Sequence, residues 1–333
     1  MPACTPRRPG PTARRWAGRL AVPCLLAVVL GLVAPATGRT DDGPPLSVEP
    51  VLLAQSLHCY GDVASATRDP VILLHGTTST GRESWRSGYV PALREAGYPA
   101  CIVDFPDRSM GDIQVSAEYA VAAVRTVSAQ SGRNVALVGH SQGALEALWA
   151  VRFWPDVRER VTNVVAIGTP FNGTVLADLA CAMPGGCQPS VWQMTPGSAF
   201  LRALHAAPLP EGPAYTSIAT IADEITAPQP AASRLEGARN ILIQDVCAGR
   251  PIDHLSLLYD SVTFAMVADA LANPGPADPA RLPPAACGSL MITTDTRTFL
   301  TDAATGLVHM PLGFVLSPRV GAEPAVAPYA AHQ

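Results

Sequence analysis

The chain has 333 residues, 48% of them hydrophobic and 15% charged, with a formal net charge of −4. That is too long and too apolar for a disordered tail or a disulfide-stapled mini-protein, and enough for one large α/β domain or two ordinary ones. All 23 basic residues are Arg and Pro occurs 33 times, which argues against long coiled coils and for many loops and caps.

The first 36 residues read as an export leader. Arg7, Arg8, Arg14, Arg15 and Arg19 form a basic region, an apolar run follows from Leu20 to Val33, and Ala34-Pro35-Ala36 offers a small-residue cleavage site before Thr37. The run is short for a membrane span and holds Pro23, which argues against an anchor. Arg14-Arg15 is the pair of a twin-arginine signal in flanks that match it poorly, and Sec export is the alternative. Cleavage would remove five Arg and no acid, leaving the mature chain more acidic still. Without basic clusters, such a chain is a poor partner for nucleic acid. The expectation is a secreted monomer with no stable membrane span after leader removal.

Export changes what the cysteines mean. Cys4 and Cys24 leave with the leader, and Cys59, Cys101, Cys181, Cys187, Cys247 and Cys287 remain. An even number in an oxidising compartment suggests three disulfides. Order along the chain suggests Cys59–Cys101, Cys181–Cys187 and Cys247–Cys287, although six cysteines allow about 15 connectivities. No CxxC pair or His-x-x-x-His cluster accompanies them, so no metal is expected.

A polar, Pro-containing extension (37–56) leads into an alternation of short apolar runs and helical stretches. Residues 71–74 form a continuous apolar strand ending in His75-Gly76; a helix over 89–96 closes at Gly97, and a second strand covers 100–105. Helical spacing over 116–128 precedes Gly132, a third strand spans 134–138, and a helix over 144–153 stops at Pro155. Further strands are expected at 161–167, 215–221 and 240–246. Runs apolar on both faces and separated by helices mean an α/β fold with a mainly parallel sheet covered on both sides. The stretch 172–213 reads as a partial cap or irregular packing, and 290–333 as a segment of unclear structure after a catalytic region over 57–289.

Sites in such sheets lie at the carboxyl ends of strands. There the segment Val138-Gly139-His140-Ser141-Gln142-Gly143 carries G-x-S-x-G between a buried strand and a helix. Gly139 and Gly143 permit a sharp turn that projects the Ser141 hydroxyl over the sheet, with the helix N-terminus behind it. A hydroxyl is a poor nucleophile at neutral pH, so it needs a base, and the base an orienting acid. On strand–turn–helix nucleophiles these follow in the order acid, then His. His254 follows the last strand and is preferred over His205, His309 and His332, and over His75 and His140, whose loops have backbone work elsewhere. Asp223 follows the fifth strand and is preferred over Glu224, expected to point away, over Asp245, and over Asp253, adjacent to His254 in sequence. For the oxyanion, the amide of Gln142 and a donor from Thr77, in the loop His75-Gly76-Thr77-Thr78, are the candidates.

These stretches resemble the secreted bacterial lipases of the α/β-hydrolase fold and are similar in particular to the Candida lipase B group. The resemblance runs from about residue 57 to 257. It rests on Gly76-Thr77 with Thr80-Gly81, Asp112-Ile113-Gln114-Val115, Ser141-Gln142-Gly143, Gly173-Thr174-Val175, Pro189-Ser190-Val191-Trp192-Gln193, Asp223-Glu224-Ile225 and Ile252-Asp253-His254. It implies a nucleophile, acid and base at Ser141, Asp223 and His254, oxyanion donors at Thr77 and Gln142, and the pairs Cys59–Cys101 and Cys247–Cys287. His140 stands where that group has Trp and Thr78 where it has Gly, so acyl-chain preference does not carry over. The expected activity is cofactor-free serine carboxylester hydrolysis, on acylglycerols at a lipid–water interface. A short-chain esterase, polyester hydrolase or acyltransferase would use the same groups, and a non-catalytic lipid-binding protein is the rival from another class.

Overall fold

The structure is a computed structural model and describes residues 42–331; the expected leader and His332 lie outside the described residues. Seven strands form one sheet: β1 (Leu57–Tyr60), β2 (Val71–Leu74), β3 (Ala100–Val103), β4 (Val135–His140), β5 (Val161–Ile167), β6 (Ala214–Ala219) and β7 (Arg239–Leu242). Their order is β1-β3-β2-β4-β5-β6-β7. β1 pairs antiparallel with β3, and every other neighbour is parallel.

The central strands are buried on both faces because each face has its own core. On β2, Ile72 and Leu74 join Leu137, Val164 and the helices Ile113–Ser131 and Gly143–Phe153, while Val71 and Leu73 join Val138, Val165, Ile167 and the helix Ser261–Ala272. The long helix is fixed at both ends: Asp112 accepts from Gln114 N–H at 2.9 Å, and Gly132 closes it at φ 63°. It therefore extends past the expected 116–128.

Several strand ends differ from expectation, each where a pairing partner runs out. The run 100–105 stops at Val103, which faces the last residues of β2 and of β1's pairing. Beyond it, Asp104 N–H donates to Ser56 O at 2.8 Å and Phe105 N–H to His75 Nε2 at 3.0 Å. The run 240–246 stops at Leu242, opposite Ala219, the end of β6; with no partner beyond, Ile243–Val246 winds into a helical turn that buries Ile243. For the same reason 215–221 ends at Ala219 and leaves Ile221 exposed, whereas 134–138 continues to His140 because β5 still pairs with it. The antiparallel edge strand β1 was not anticipated.

Among the described residues three disulfides close loops of the chain. Cys59–Cys101 joins directly opposed residues of β1 and β3, Cys181–Cys187 closes the end of the helix Val175–Cys181, and Cys247–Cys287 ties the segment after β7 to Pro284–Gly288. The extension is held too: Glu118 accepts from Ser47 N–H and Val48 N–H, and Pro44 O from Trp154 Nε1–H.

After residue 290 the chain forms the helix Thr296–Leu316 and then crosses the helical face of the first core. Glu323 caps the helix Ala199–Leu204 through Ala199 N–H and Phe200 N–H, both at 2.8 Å, and the Tyr329 ring lies 5.4 Å from that of Trp154. By length and composition, Thr296–Leu316 is long and apolar enough to cross a membrane, and only 12% of its most apolar window is buried.

Candidate active site

Ser141 sits between β4 and the helix Gly143–Phe153 at φ 53°, a conformation L-residues seldom adopt. The turn is possible because its neighbours are glycines: a Cβ on Gly139 would lie 2.4 Å from Ala144 N, and one on Gly143 2.3 Å from Leu74 O. Ser141 N–H donates to Ile167 O at 2.7 Å, fixing the turn to β5.

Asp223 and His254, from the ends of β6 and of the chain following β7, meet beside it. His254 Nδ1 lies 2.8 and 2.9 Å from the two Asp223 oxygens, and Asp223 Oδ1 also accepts from Ile225 N–H at 3.0 Å and Thr226 N–H at 2.6 Å. The carboxylate is fully covered, and its donors are all in place. Nδ1–H is given to Asp223. Ser141 and His254 open on the same cavity, and the His140 ring lies 4.7 Å from that of His254.

The rival carboxylates fall elsewhere. Glu224 does not simply point away: its Oε2 accepts from His254 N–H at 3.2 Å, so successive acids hold the ring and the main chain of one histidine. Asp253 accepts from Ser256 N–H, and Asp245 is exposed on Ile243–Val246. Among the histidines set aside, His205 bonds Phe171 O and His309 is exposed. His75 and His140 hold the site's walls. Phe105 N–H donates to His75 Nε2, so Nδ1 carries the proton and reaches Gly76 O at 2.9 Å. Burial lowers His75 to about 4 and His140 to about 3, keeping both neutral. His140 Nε2–H donates to His254 O at 3.0 Å.

The loop after β2 passes close by: a Cβ on Gly76 would lie 2.8 Å from Ser141 Cβ. Thr77 Oγ1–H donates to Gln142 Oε1 at 2.7 Å. Among the described residues the backbone N–H groups of Thr77 and Gln142 have no partner. The Gln142 amide is at the start of a helix, where N–H groups have no intrahelical partner. Thr78 is clamped from behind, its N–H donating to Arg108 O at 2.8 Å and its O accepting from Arg108 Nε–H at 2.7 Å. Arg108 also pairs with Glu83, and it lies in a run of three left-handed residues, Asp107, Arg108 and Ser109, at φ 50°, 56° and 60°. Nothing in the sequence pattern singles out Arg108.

The cavity encloses about 1130 Å³ and is walled mostly by apolar side chains, among them Leu176, Val191, Ile225, Leu290, Phe299 and Met310. Phe299, Ala303, Met310 and Phe314 all come from Thr296–Leu316, the stretch whose sequence gave no readable period. Among the described residues no three His, Cys, Asp or Glu side chains converge as a metal site would require.

A sequence model of the alpha/beta hydrolase family matches residues 71–332. Lipase B of Pseudozyma antarctica is 32% identical over 307 residues, spanning 89% of this chain and 90% of that one. A triacylglycerol lipase of Pseudomonas fragi is 29% identical over 170 residues, 48% of this chain and 56% of that one. The crystal structure of Aspergillus fumigatus lipase B superposes with a TM-score of 0.78 at 29% identity, covering 87% of this chain and 73% of that chain.

Proposed function

Since the chain belongs to the alpha/beta hydrolase family and is a lipase-like carboxylester hydrolase, we propose that it is an exported serine enzyme cleaving acylglycerols through Ser141, His254 and Asp223. Ser141 Oγ attacks the ester carbonyl while His254 Nε2 takes its proton. The Thr77 and Gln142 amides receive the carbonyl oxygen as it becomes an oxyanion. The C–O bond to the alcohol then breaks and His254 returns the proton to that alcohol, leaving an acyl group on Ser141. Water, deprotonated by the same imidazole, hydrolyses the acyl-enzyme. Asp223 holds the Nδ1–H tautomer and balances the imidazolium.

One observation carries this reading: His254, its Nδ1 held by Asp223, lines the same cavity as the strained Ser141 and Thr77. Labelling with a fluorophosphonate followed by peptide mapping tests it. A phosphonyl group on Ser141, absent from Ser141→Ala, is the expected result; a label on any other residue overturns the mechanism.

Acylglycerol is favoured over a small ester by what surrounds the site. The cavity is larger than the roughly 300–1,000 Å³ of ordinary ligand sites. The helix Thr296–Leu316 gives apolar side chains to the cavity and also presents Leu300, Leu312, Val315 and Leu316 to solvent. An apolar rim of this kind suits the surface of a lipid droplet. Val315→Asp is expected to reduce hydrolysis of emulsified triglyceride severalfold while sparing a soluble p-nitrophenyl butyrate; equal loss on both would count against an interfacial substrate. For export, the N-terminal residue of protein from culture medium is expected to be Thr37.

A further inference from the structure

The helix behind Ser141 is buried on every side, and its fourth residue is an acid. Glu146 has no solvent exposure; its Oε1 accepts from Gln142 Nε2–H at 2.8 Å, and its Oε2 has no partner among the described residues. Burial pushes the carboxyl up to about 8, so at neutral pH it is an uncharged acid. An apolar side chain would fill this place without leaving a polar atom unpaired.

What Glu146 touches accounts for it. Gln142 lies between Glu146 and Thr77, and a carboxamide has one donating and one accepting end. Glu146 Oε1 accepts from Gln142 Nε2–H, and the Gln142 oxygen faces Thr77, where it receives the hydroxyl at 2.7 Å. Without Glu146 the carboxamide keeps only its contact with Thr77 and is free to turn, so the bond tying that loop to the turn that carries Ser141 is no longer held in one geometry. We propose that Glu146 is a positioning residue: by fixing the Gln142 carboxamide it holds Thr77 in register with Ser141. This deepens, and rests on, the assignment of Thr77 and Gln142 as the oxyanion donors.

The test uses the full-length exported protein carrying Glu146→Leu or Glu146→Gln, with p-nitrophenyl butyrate as the substrate. Fluorophosphonate titration counts competent sites, and thermal midpoints report folding. Glu146→Leu is expected to fold with a midpoint no lower than the parent's and to lose about tenfold in kcat at nearly unchanged KM, the signature of misplaced transition-state groups. Glu146→Gln keeps an accepting oxygen and is expected to stay within about twofold of the parent. Should the Leu variant fold poorly, Glu146→Met removes the acceptor with an unbranched side chain and is held to the same expectation. In the Thr77→Val, Glu146→Leu double variant the losses are expected not to add, because both cut one chain of bonds. Full kcat in a folded Leu or Met variant, a Gln variant as impaired as the Leu one, or additive losses would each overturn the proposal. If Ser141 still takes the phosphonate, those outcomes leave the triad standing; if the parent itself does not, the underlying assignment has failed instead.

Discussion

Replacing Glu146 by Gln should make the protein more stable above neutral pH, by an amount that grows with pH. In the unfolded chain this carboxyl titrates near 4.5, and in the folded protein near 8. Between those values the unfolded state has released the proton and the folded state has kept it, so the parent's stability falls as pH rises. Each unit of separation is worth about 1.4 kcal/mol, which gives the ionisable carboxyl a penalty of about 3 kcal/mol at pH 7 and about 4 kcal/mol at pH 8. Against a total stability of about 5–15 kcal/mol that is readily measured. Gln removes the ionisation and keeps the bond to Gln142. Its second amide group has no acceptor and costs about 1–3 kcal/mol, but that offset does not vary with pH. Urea unfolding of both proteins with disulfides intact, at pH 5, 6, 7 and 8, should show their difference climbing by about 1 kcal/mol per unit. A flat difference would show that the carboxyl ionises alike in both states, and the account of Glu146 as a dry, neutral acid would be refuted.

Other consequences can be checked alongside. Asp223→Asn keeps the shape but offers an N–H toward His254 Nδ1, so kcat should fall by on the order of 10⁴ with the fold intact; a loss under tenfold would remove Asp223 from the mechanism. His75 and His140 are held neutral at about 4 and about 3, below the ordinary 6.5. Below pH 6.5 the unfolded chain binds these two protons first, so stability should fall by up to about 3 kcal/mol per unit toward pH 4, partly offset by Glu146 above 4.5. Thermal midpoints unchanged between pH 6.5 and 4 would contradict that. Cys247 and Cys287 are 40 residues apart. Replacing both with Ser should lower stability by roughly 4 kcal/mol, read from the urea midpoint.

What the residues alone disclosed follows the physics of local order. Ser141 and Asp223 follow strands whose buried apolar runs are unmistakable, and His254 follows the last strand in chain order, so strand ends brought all three to the carboxyl side of the sheet. Strand limits were harder, because Val103, Ala219 and Leu242 end where a neighbour ends, a property of pairing rather than of the residues. β1 is short and mostly half-exposed, without the alternation that announces a strand. The helix Thr296–Leu316 hid because it has no single apolar face: one side meets a cavity and the other solvent, with Gly306, Pro311 and Gly313 inside it. Glu146 did leave a trace. A helix apolar all round is a buried helix, and an acid within it is buried too.

The left-handed run at residues 107–109 has a practical side. Arg108 is engaged through its main chain and its guanidinium, and Ser109 approaches His75. Asp107, exposed and with no side-chain bond among the described residues, contributes only its awkward backbone. A residue at ease in that conformation, Gly or Asn, could take its place without disturbing the grip on Thr78. Anyone seeking a hardier version of this catalyst would do well to begin there, since it is the rare spot beside the reaction centre where tension can be released and activity left alone.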